Sequence, residues 1–113
     1  MAFNGTVTRV TPTYKLQAND GGFINAAVFD LTFAATAYPL AGEPLLMADF
    51  DSNGNEIIGI RFLGVTDGAA VVIDVLVDLE NSKIILVDIA DGLPLAAATD
   101  ASGVTARVEV IYR

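Results

Sequence analysis

The sequence predicts an all-β protein: a single-domain antiparallel β-sandwich or barrel over residues 1–113, with at most one short helical turn. Three observations predict it. Apolar and polar residues alternate along several short runs. Turn-forming residues recur between those runs. No stretch keeps a helical period long enough for more than a short turn.

The elements follow in order. Thr11-Pro12 interrupts the first extended run, because proline cannot donate to a ladder and belongs at an edge or bend. The run 14–18 turns at Asn19-Asp20-Gly21-Gly22 into a long run over 23–33. In that run Ala27, Phe29, Leu31 and Phe33 share one face, opposite Val28, Asp30 and Thr32. Over 56–65 the pattern is two-sided: Ile58, Ile60 and Phe62 share a face, but Ile57, Leu63 and Val65 fill much of the other. Such a strand is expected to be covered on both sides, by a loop or a neighbouring subunit. The next run sets Val71, Ile73, Val75, Val77 and Leu79 opposite Asp74 and Asp78. It turns at Glu80-Asn81-Ser82 into 83–88, a second hairpin. The expected helical turn is 93–100, with Pro94 near its first position. The last run sets Val104, Ala106, Val108, Val110 and Tyr112 opposite Thr105, Arg107 and Glu109.

Composition bounds the function. Of 113 residues, 53% are hydrophobic and only 18% charged, yet the net charge is −8, with 14 acidic against 6 basic groups. An acidic surface repels phosphate backbones, so no nucleic-acid partner is expected. Anionic membranes are disfavoured for the same reason. The longest uncharged run, 31–42, has 12 residues and contains Pro39, whereas a spanning helix needs about 20 apolar residues. Met1-Ala2-Phe3-Asn4-Gly5 has neither a basic start nor a continuous apolar stretch, so no secretory signal is expected. The apolar excess points instead to a partner surface.

Histidine and cysteine are absent. The commonest general base, the usual zinc ligands, the strongest nucleophile and any disulfide are therefore missing. No enzyme and no cofactor are expected. Asp51-Ser52-Asn53-Gly54-Asn55 resembles the opening of a calcium loop, but Glu56 stands where that loop needs glycine and Phe62 where it needs its bidentate glutamate. A turn is the expected reading, and no metal site is predicted. Asp74 with Asp78, Asp49 with Asp51, and Asp88 with Asp91 read as solvated carboxylates of strand faces and turns. No glycine-rich stretch leads into a helix carrying a lysine, so no nucleotide cradle is expected.

Three segments together resemble a family of small bacteriophage virion proteins, the capsid decoration or cement proteins. The first is Phe29-Asp30-Leu31-Thr32-Phe33 followed by Tyr38-Pro39-Leu40-Ala41-Gly42-Glu43-Pro44-Leu45, similar to a "Y-P-x-G-G-E-P-L" turn, with Ala41 in place of the first glycine. The second is the hairpin Val77-Asp78-Leu79-Glu80-Asn81-Ser82-Lys83-Ile84-Ile85-Leu86. The third is Thr99-Asp100-Ala101-Ser102 with the final run to Arg113. The resemblance implies a β domain made in the host cytoplasm. It would bind the major capsid protein on the outer face of the head, as a homo-oligomer with a trimer favoured. The candidate interface residues are Tyr38, Pro39, Leu40, Leu45, Leu46, Met47, Ile57, Phe62 and Leu63. A tail or head-closure component and a carbohydrate-binding β-sandwich are the alternatives. The second is weakened by the absence of tryptophan and the presence of only Tyr14, Tyr38 and Tyr112.

Overall fold

Proline 12 divides the first edge of the fold as expected. In the computed structural model, which describes residues 3–17, 23–34, 42–51, 53–67, 72–88, 92–94 and 101–113 (of 66, 67 and 72–74 the backbone only), β1 (Gly5–Arg9) and β2 (Tyr14–Gln17) lie end to end along β3 (Phe23–Phe33). Between them the N–H of Val10 donates to the Val28 carbonyl at 2.8 Å, and the Val28 N–H donates to Thr11 Oγ1 at 3.0 Å. The side chain before the proline thus takes up a donor that a continuous strand would have paired.

The remaining elements are β4 (Glu43–Pro44), α1 (Met47–Phe50), β5 (Ile57–Asp67), β6 (Val72–Asp78), β7 (Lys83–Asp88) and β8 (Thr105–Tyr112). They form two antiparallel sheets. One has the order β1-β3-β8-β5 with β2 also on β3, and the other the order β4-β7-β6. The sheets enclose one core, so the architecture is a sandwich.

The alternation decides which faces meet. Ala27 pairs with Val110, Phe29 with Val108 and Leu31 with Ala106, so the apolar sets of β3 and β8 fall on the same face. All six are buried. Val75, Ile84 and Leu86 meet them from the second sheet. Phe3 packs edge-on to Phe33 at 5.0 Å, and Phe50 lies tilted on Phe29 at 5.1 Å. Such ring pairs add to area burial. β2 and β3 pair as the first hairpin requires, its turn at 18–22 lying outside the described residues; the hairpin at 79–82 forms, and Ser82 takes φ 55°, the left-handed conformation that a tight turn needs.

Three expectations are corrected. The helical turn is Met47–Phe50, where the sequence suggests none. It is held by Asp49, whose Oδ2 accepts the Leu46 N–H at 2.7 Å, the backward-reaching half of a capping box. Pro94 is not a helix start, because it bridges Val87 in antiparallel fashion; residues 95–100 of the expected turn lie outside the described residues. Leu79, expected on a buried face, is exposed at the β6–β7 turn.

A further correction concerns β5. Its register against β8 shifts between Ile57 and Gly59, between Phe62 and Gly64, and between Val65 and Asp67. A bulge sets two residues against one, so each shift flips the alternation. Ile57, Ile60, Phe62 and Val65 therefore sit opposite Tyr112, Val110, Val108 and Ala106, and all four pack on the core. Ile58 does not share a face with Ile60 and Phe62. The two-sided pattern encodes a strand that rotates, with Ile58 and Leu63 turned outward.

Candidate functional site

The residues singled out from the sequence separate into three groups. Tyr38, Pro39 and Leu40 lie outside the described residues. Leu45, 2% exposed, belongs to the core, and Met47, Ile57 and Phe62 pack against it. Their apolar surface is used within the chain's own core. Leu46 and Leu63 remain exposed, at 39% and 44%.

The structure adds others. Ile58, Leu76 and Leu79 are exposed large apolar residues that the candidate interface omitted. Leu79 forms part of the wall of a recess between β5 and the β6–β7 turn, with Leu45, Ile57, Ile60 and Val77. Leu46 and Ile58 follow two of those wall residues in sequence. Leu76 pairs with Ile85 on the outward side of the second sheet. The signal for Leu76 was present, as it alternates with the buried Val75. The signal for Ile58 and Leu79 was not, because a bulge and a hairpin end decided their exposure.

Several of the described carboxylates are occupied in holding the fold. Asp51 Oδ1 accepts the Asn53 N–H at 2.9 Å, and its Oδ2 accepts the Tyr112 hydroxyl at 3.0 Å. The backbone bond first, and the Tyr112 bond after it, hold the Asp51 carboxyl below the usual carboxylate range. The calcium-like segment is thus a turn that anchors the last strand. Asp78 accepts both the side-chain and the backbone N–H of Asn81, which lowers its pKa and closes the β6–β7 turn. Of Asp74 and Asp91 the side chains are outside the described residues. Among the described residues, no three acidic groups come together in a way that could hold a metal.

The outer face of the first sheet carries two polar clusters. Arg107 grips Asp30 with two parallel bonds, at 2.9 and 3.0 Å, across the β3–β8 register. That bond holds the Asp30 carboxyl down. Tyr14 reaches from β2 over β3 to donate to Glu109 of β8, which also meets Arg61 at 3.2 Å. The accepting carboxylate raises the Tyr14 pKa, keeping its proton in place. The ladder partner of Tyr14, Ala26, is fully buried. Tyr112 is 1% exposed, so its ring is closed to a ligand, and the Tyr14 hydroxyl is tied across the sheet.

Comparison with protein-family models, curated proteins and solved structures found no match to this chain.

Proposed function

We propose that this chain is a structural protein of a bacteriophage virion, a decoration protein that binds the major capsid protein on the outer face of the head and stabilises it. Two things support the reading. The geometry supports a surface: β5 bulges turn Ile58 and Leu63 outward, and the same strand helps to wall a recess with Leu45 and Leu79. Exposed apolar groups of this kind favour a partner. The resemblance of three segments to decoration proteins makes the partner a capsid. It is the observation that carries the reading, because it follows the order of the chain from Phe29 to Arg113.

The action is binding to the assembled state and not to its parts, which stabilises that state by mass action. The acidic charge keeps the free protein soluble and steers it to basic capsid loops. A homotrimer is the proposed assembly.

Purified protein added to undecorated heads should raise the temperature at which they release DNA. Absence of binding, with no shift in release temperature, would refute the proposal. Light scattering at high concentration should give a trimer; a strict monomer would remove that part of the reading alone.

A further inference from the structure

Glu43 is the one buried charged or polar residue among the described residues, at 1% exposure. It sits on the two-residue edge strand β4, opposite Ile84 of β7. Its Oε1 has no hydrogen-bond partner among the described residues. A buried carboxylate with an orphaned oxygen is costly, and such a group keeps its proton instead. Burial pushes the Glu43 pKa up, against the smaller opposing effects of the Asn4 backbone N–H and the Lys83 cation.

The surroundings give this acid a mechanical position. The Asn4 N–H is directed at the Glu43 carboxyl. The preceding amide, that of Phe3, donates to Asp49 Oδ2 at 3.2 Å. Two consecutive backbone donors ahead of β1 are therefore taken by two carboxyl groups of the segment 43–50. Behind them, Gly42 holds φ 99° and lies so close to β7 that a Cβ would stand 2.5 Å from the Ile84 carbonyl oxygen. The strand carrying Glu43 cannot retreat from the sheet without breaking that packing.

We propose that Glu43 and Asp49 form a two-point clasp on the N-terminal segment, and that the Glu43 half holds only while its carboxyl carries a proton. The charged groups on the elements around it are Lys83 and Asp88 of β7, Asp49 of α1 and Arg9 of β1, and of these Lys83 alone acts on Glu43 through its charge; no ion pair joins Lys83 to Glu43 among the described residues. Loss of the proton leaves a charge with one donor and no counter-ion in contact. The carboxylate then gains water by parting β4 from Asn4, which loosens β1 along the edge of β3. The sign is that of an acid whose folded pKa is raised. The clasp is complete below the ordinary glutamate value of 4.5 and is lost as pH rises through the folded value.

Two measurements test this. Carboxyl-carbon NMR of the wild-type chain should show Glu43 titrating above 4.5; a midpoint at or below that value would overturn the proposal. Amide exchange in β1, corrected for the intrinsic pH dependence, should accelerate by about tenfold per pH unit between the exposed and buried midpoints, while β8 stays protected. In Glu43→Gln, which keeps the shape and removes the titration, that acceleration should vanish. Equal acceleration in the variant, or none in the wild type, would sink the idea. Should Glu43→Gln fail to fold, the wild-type titration and the β1-against-β8 contrast still decide.

Discussion

Tyr112 performs two functions, one shared with its neighbours on β8 and one its own. Its ring completes the apolar face with Ala106, Val108 and Val110. Its hydroxyl lies 3.1 Å from Thr13 Oγ1 and donates to Asp51, joining the break after β1 to the turn after α1. Tyr112→Phe should keep the fold and lose about 0.5–1.5 kcal/mol, the usual net worth of such bonds. Denaturant unfolding checks it, and an unchanged midpoint would mean that the hydroxyl contributes nothing. The ring's burial was legible from its place in the alternation. The hydroxyl's partners were not, because they lie 99 and 61 positions away in sequence.

At the scale of the element, β5 shows how a strand can be read correctly as a strand and wrongly as a face. Its apolar residues mark it plainly, but bulges change which of them point inward, and a bulge exists only relative to a partner strand. Two adjacent residues expose the difference. Phe62→Asp should cost about 3 kcal/mol or more and unfold the subunit, because it removes a ring from the core and places a charge there. Leu63→Asp should leave the melting temperature nearly unchanged, as exposed substitutions do, yet abolish binding to undecorated heads. Thermal melting and capsid binding on the same two proteins check both statements. A Leu63→Asp protein that binds normally would exclude this edge from the interface.

For the whole molecule, two kinds of carboxyl group set opposite slopes of stability with pH. Asp30, held by Arg107, Asp51, held by Asn53 and Tyr112, and Asp78, held by Asn81, have lowered folded values. Their stabilisation is present above the unfolded value of 3.8 and is lost as pH falls through the folded values. Glu43 acts in the other direction, its stabilisation lost as pH rises above 4.5. The net charge of −8 at pH 7 adds self-repulsion on the same alkaline side. The melting temperature should therefore fall as pH drops below 3.8 and fall again as pH rises above 4.5 through the folded value of Glu43. A profile rising to neutral pH would contradict this account. In Glu43→Gln the decline should become shallower.

The sequence by itself determined the fold class, the proline break, both hairpins and the inward faces of β3 and β8. Each of these rests on local turn chemistry or on a strict period of two, which need no knowledge of distant residues. The tertiary structure alone decided four things: the rotation of β5, the short helix at Met47–Phe50, the exposure of Leu79 and the burial of Glu43. A register shift needs a partner strand, a short helix survives on packing, and the environment of an acid is set by whatever the chain folds over it. For that reason the candidate interface moved. The sequence located apolar surplus near Leu40–Met47 and Ile57–Val65, and among the described residues only the packing showed that Leu45, Met47, Ile57 and Phe62 serve the core, while Leu46, Ile58 and Leu63 stay exposed.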